Sequence, residues 1–174
     1  MKSLIIPALT IVLLLALPGC DGENESNTPV VTGDPSGELT SATDCKSFMK
    51  STLTGPGSSG ESAVLYVYDA DTRVLTLTHV NAGFNCCPGE LSVAVTVSEG
   101  NITVVESERE AGCHCNCLFD LGIRVRDLPP GSWSIAFVEP YRHPDDAAIS
   151  FTADLRTDPT GEHRVPRRHY PWGF

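Results

Sequence analysis

Five cysteines fall in two short blocks, Cys86-Cys87 and Cys113-His114-Cys115-Asn116-Cys117, and a sixth, Cys45, stands alone upstream. Such a set can cross-link the chain, hold a metal or exchange disulfides. The metal reading takes Cys86, Cys87, Cys113, His114, Cys115 and Cys117 as donors for Zn²⁺ or Cu(I). Against it, an extended run turns His114 away from the cysteines on either side, and the CxxC knuckles of common zinc folds are missing. The redox reading lacks a CxxC at a helix start. Six cysteines in an exported domain point instead to disulfides. A bond between the neighbours Cys86 and Cys87 closes a strained ring. Residues two apart on a strand sit about 6.5–7 Å apart with parallel side chains, which disfavours bonds within the triple. The pairs therefore join different segments. Two of the triple pair with Cys86 and Cys87 and the third with Cys45, and the individual partners stay open.

Other chemistry is sparse. Five histidines and many serines invite a catalytic triad, but no GxSxG elbow is present. Ser58 and Ser59 lie in a Gly/Ser stretch. Arg142-His143-Pro144-Asp145-Asp146 reads as a polar loop between strands, with a site as the lesser alternative. Asp69 and Asp71 read as turn formers, because the spacing of a calcium loop is missing. Asn85 and Asp120, beside the cysteine blocks, are expected to bond to nearby backbone. There is no HExxH, phosphate loop or dinucleotide fingerprint. The expectation is a non-enzymatic protein with no catalytic residues and no cofactor.

The elements that must position these residues are strands. β-branched and aromatic residues come in short runs between turn residues, and no stretch offers a clean helical period. Runs at 63–69, 73–80, 91–98, 101–107, 118–126, 132–139 and 148–155 make seven strands. Glu99-Gly100 marks one hairpin and residues 70–72 another. Seven short strands at this spacing predict an all-β fold, a single antiparallel sandwich over 61–155 stapled by disulfides. Leu128-Pro129-Pro130-Gly131-Ser132-Trp133 resembles the turn before a late strand in Ig-like and transthyretin-like modules.

Residues 1–19 read as an export signal: Lys2, then an apolar run from Leu4 to Leu17. That run is shorter than the about 20 residues a spanning helix needs. Leu17-Pro18-Gly19-Cys20 resembles the lipobox of bacterial lipoproteins, in which the cysteine becomes the acylated N-terminus. The resemblance implies lipidation at Cys20, a bilayer partner through the acyl chains, and a place at the cell envelope, with inner or outer membrane open. Residues 20–44 have the composition of a flexible tether, and 45–60 hold a short segment and a Gly/Ser linker. Residues 156–174 are a basic and aromatic tail, read either as frayed or as a docking segment. Loss of residues 1–19 removes Lys2 and no acid, leaving a chain more acidic than the −10 of the whole sequence. A chain of that charge repels phosphate backbones, which argues against nucleic acid as a partner.

The blocks HVNAGFNCCPGELSV (79–93), GNITVVESE (100–108), CHCNCLFDLGIRV (113–125) and LPPGSWSIAFVEPY (128–141) are similar to an uncharacterised family of short exported bacterial proteins. The resemblance implies export and a cysteine-stapled β domain, and it carries over no catalytic residue. The expected role is binding or structural, toward another envelope protein or a glycan; the alternative is envelope metal binding by the cysteine cluster.

Overall fold

The structure is a computed structural model that describes residues 33–46 and 60–172. The expected signal, Cys20, the first part of the tether and residues 47–59 of the linker lie outside the described residues. Nine strands follow one another: β1 (Ser36–Ala42), β2 (Glu61–Asp69), β3 (Val74–Asn85), β4 (Leu91–Ser98), β5 (Asn101–Glu108), β6 (Asn116–Arg126), β7 (Ser132–Val138), β8 (Ser150–Asp154) and β9 (Thr160–Pro166). The seven runs expected from alternation are β2 to β8.

The strands form two sheets, β1-β6-β3-β2-β9 and β4-β5-β7-β8. One core is built from both: Val64, Leu75, Leu77 and Ile123 of the larger sheet pack with Ile102, Ile135 and Phe137 of the smaller. This is the expected all-β sandwich, corrected in one pairing: β5 and β7 run parallel, with Thr103 opposite Ala136. The turn between β6 and β7 is pinned from both sides. Trp133 Nε1 donates to the Pro129 carbonyl at 3.0 Å and Tyr68 Oη to that of Leu128 at 2.8 Å.

Two domain boundaries are corrected. Ser36–Ala42, expected in the tether, is edge strand β1, paired to β6. It looks like a tether because an edge strand needs backbone partners more than apolar side chains, and Leu39 is its one large inward residue. Gly37 lies so close to β4 that a Cβ there would sit 2.4 Å from the Val95 Cβ. The expected tail holds β9, which pairs with β2 and sends Val165 into the core. Beyond it Trp172 is buried against Gly83, where an added Cβ would lie 2.8 Å from the ring.

β3 changes phase part way along. Leu75, Leu77 and His79 are buried alternately, then the register with β6 shifts between His79 and Ala82. Asn81 takes up the extra residue at φ 62°, in the left-handed region that asparagine tolerates better than most residues. After it Ala82 and Phe84 face a second cluster with Phe119 and Leu121. The bulge is tied down on all sides. Asn81 N–H donates to Asp120 Oδ1 at 3.0 Å, its Nδ2 to the Glu61 carbonyl at 2.7 Å, and its own carbonyl receives Trp172 Nε1 at 2.6 Å. Lys46 Nζ donates to Asn81 Oδ1 at 2.8 Å.

Candidate functional site

The cysteine blocks meet where β3 ends and β6 begins. Cys45 pairs with Cys117, Cys86 with Cys115 and Cys87 with Cys113, at Cα separations of 5.6, 5.6 and 5.4 Å. The pairing agrees with the expected pattern and supplies the partners that spacing left open. Asn85 organises it: its Oδ1 accepts Cys87 N–H at 2.9 Å and Cys113 N–H at 3.0 Å, and its Nδ2 donates to the Cys113 carbonyl at 2.7 Å. Residues 111–115 are not strand; β6 starts at Asn116, two residues before the expected run at 118–126. With every sulfur of the two blocks bonded to another, Cys86, Cys87, Cys113, Cys115 and Cys117 offer no thiolate. His114 is left exposed without that donor set. The cysteine metal site is thereby corrected.

A groove of about 480 Å³ runs beside this knot, lined by Ala42, Asp44, Cys45, Cys86, Leu91 and Phe119 among others. Among the described residues that line it, Asp44 is the one ionisable side chain. Asp69 is a turn former as expected, its Oδ1 accepting the Asp71 and Thr72 N–H groups at 2.9 and 3.3 Å. The Thr72 hydroxyl, together with those backbone bonds, holds its carboxyl below the usual range.

Between the sheets lies a line of polar groups that sequence reasoning missed. Ser62 Oγ is 2.7 Å from His79 Nε2, and His79 Nδ1 is 2.6 Å from Glu106 Oε1. Glu139 follows, 3.9 Å from His79 Nε2, and both its oxygens accept from Arg167 Nη2 at 2.6 and 2.7 Å. Arg167 also donates to the Ala147 carbonyl at 2.9 Å and lies 4.9 Å from the centre of the Trp172 ring. The signal was in the alternation: His79 continues the inward phase of Leu75 and Leu77, and Glu106 that of Ile102 and Val104. A titratable residue at an inward strand position marks a buried charge that needs a partner.

The spacing of Ser62, His79 and Glu106 is that of an acyl-transfer triad, but their protons run the other way. Burial and, less strongly, the Arg167 charge lower the His79 pKa; Glu106, by charge and hydrogen bond, and Glu139 together outweigh them and raise the pKa above the ordinary value. When the ring is protonated, it donates Nδ1–H to Glu106 and Nε2–H to Ser62 Oγ, leaving the Ser62 proton for the Val80 carbonyl at 3.3 Å. A hydroxyl that accepts from an imidazolium has no base to activate it. Ser62 and His79 are wholly buried. Two carboxylates, one guanidinium and one imidazolium balance in charge, and the arrangement does the work of a lock between the sheets.

The outside of the smaller sheet is the surface best suited to a partner. Along β4, β5 and β7 the buried and exposed positions alternate, and no outward position carries a charge. Ala94, Val105 and Val138 form one cross-strand row, and Thr96, Thr103 and Ala136 the next. Val105 and Val138 are exposed. In so acidic a chain, an uncharged face three strands wide is an area a neighbour can cover without burying charge. Comparison with protein-family models, curated proteins and solved structures finds no match.

Proposed function

We propose that this chain is an exported lipoprotein, acylated at Cys20, whose sandwich serves a non-enzymatic binding role at the bacterial cell envelope. The observation that carries the reading is the uncharged outer face of β4, β5 and β7. Sheet faces stack about 10 Å apart when their side chains interdigitate, and charge is depleted where proteins meet. A folded envelope protein is the partner this face fits. Pairing of all six cysteines of the two blocks and Cys45 suits an oxidising compartment. The lipobox-like Leu17-Pro18-Gly19-Cys20 supplies the link to the bilayer. Ser36, where the sandwich begins, lies 16 residues beyond Cys20.

The test is made in the producing cell. Cys20→Ser should move the protein from the membrane to the soluble fraction and remove the acyl mass. A photocrosslinking residue at Val105 should capture a protein, and one at Asp71, on the β2–β3 turn, should not. Capture of glycan alone at Val105 replaces the protein partner with a carbohydrate. Turnover of an ester, amide or glycoside panel that Ser62→Ala abolishes overturns the non-enzymatic reading.

A further inference from the structure

We propose that His143, Asp145 and His169 form a binding site for one divalent ion of the zinc type, tying the loop between β7 and β8 to the segment after β9. One nitrogen from each histidine and one Asp145 oxygen lie within 4.8 Å of one another. His143 Nδ1 and Asp145 Oδ2 are 3.7 Å apart, and that nitrogen accepts the Asp145 N–H at 3.2 Å, a bond the ion replaces. Two donors each about 2.1 Å from a zinc ion can be at most about 4.2 Å apart, so this pair already fits. The third donor comes into reach as the two rings leave their stacked arrangement.

The surroundings prepare the donors. His169 Nδ1 lies 3.1 Å from Asp146 Oδ1, which also accepts the Arg168 N–H at 3.3 Å. A carboxylate on one ring nitrogen leaves the other with its lone pair and aims it, the outer-shell arrangement of metal-binding histidines. Asp146 is 2 % exposed, and its second oxygen is buried with no hydrogen-bond partner. That buried negative charge lacks full compensation, and a nearby dication supplies it. The loop is set in shape by Arg142 Nη1, which donates to the carbonyls of His143 and Asp146 at 3.1 and 2.6 Å. The two rings stack 3.7 Å apart, at 15°. Parallel rings point their lone pairs side by side, so binding tilts them out of the stack.

The donors are open to solvent, with side-chain exposures of 43 % for His143, 80 % for Asp145 and 37 % for His169. An ion reaches them directly, and water completes a tetrahedron. Imidazole with one carboxylate suits zinc and copper over magnesium and calcium, which prefer all-oxygen shells. The site owes nothing to the disulfides, nor to the envelope reading.

The experiment uses the purified protein with its disulfides intact, stripped by chelator and titrated with ZnCl₂ alone. Calorimetry should give one ion per chain, with melting temperature rising as zinc is added. NMR should show the His143 and His169 ring signals moving together. His143→Ala and His169→Ala should each weaken binding by more than about tenfold, as losing even an outer-shell partner can. His114→Ala should leave it unchanged. Because all three donors are at the surface, the variants should keep the wild-type circular dichroism. Zinc affinity that is equal in wild type, His143→Ala and His169→Ala, or binding lost in His114→Ala, overturns the proposal.

Discussion

His79 Nδ1 lies 2.6 Å from Glu106 Oε1 with both side chains fully shielded from solvent, so β3 and β5, which belong to different sheets, are joined through the core by a charge-assisted hydrogen bond. Most of the interior around it is hydrocarbon, and His79 meets the edge of Phe137 at 5.1 Å between centroids. In such surroundings the proton stays on the ring only because two carboxylates hold it there.

Stability should therefore fall as pH rises above neutrality. The His79 pKa is raised in the folded state above its unfolded value of about 6.5. The folded chain binds the proton more tightly, so this contribution is complete below about 6.5 and is lost as pH climbs through the folded-state pKa. Urea midpoints measured from pH 6 to 9 should decline in the wild type and be flatter in His79→Gln. Equal profiles mean that the buried ring is neutral.

Arg167→Met should be among the most damaging single substitutions. The Arg167 and Glu139 side chains are 0 % and 1 % exposed, and the change leaves Glu139 without its cation. Breaking a buried pair from one side costs about 3–5 kcal/mol. Chemical denaturation of Arg167→Met and of the double variant Arg167→Met/Glu139→Gln checks it: the second change should recover part of the loss.

Trp172→Ala should cost about 3–5 kcal/mol, the range for a large aromatic core residue. Trp172 is 1 % exposed and donates to the Asn81 carbonyl at the bulge. A frayed end would leave the unfolding midpoint unmoved.

The disulfides should differ in worth. Cys45–Cys117 spans 72 residues, and replacing both cysteines by serine should cost about 4 kcal/mol from loop entropy. Cys86–Cys115 and Cys87–Cys113 close nested loops of 29 and 26 residues. Either one alone constrains the unfolded chain almost as much as both. Removing one should cost little and removing both about 3–4 kcal/mol, a non-additivity that a double-mutant cycle reads directly.

Strands β2 to β8, including the edges β4 and β8 of the smaller sheet, were legible because they bury alternate residues, and period-two alternation is written in the residues themselves. The two edges of the larger sheet, β1 and β9, were not. β1 has Leu39 and β9 has Val165 as principal inward apolar residues, and each is otherwise polar enough to pass for linker or tail. Their strand character comes from backbone bonds to β6 and β2, which composition does not record. The tertiary structure also gave His79 and Glu106 their role, because β3 and β5 meet only when the sheets close.

By itself, then, the sequence determined an all-β domain with paired cysteines, because alternation and cysteine spacing are local properties. Which sulfur meets which, which charges share the interior, and that His143 stacks on His169 were decided by sheet closure. Those relations join residues far apart in the chain, and their energies exist only once strand register and inter-sheet packing have set the distances.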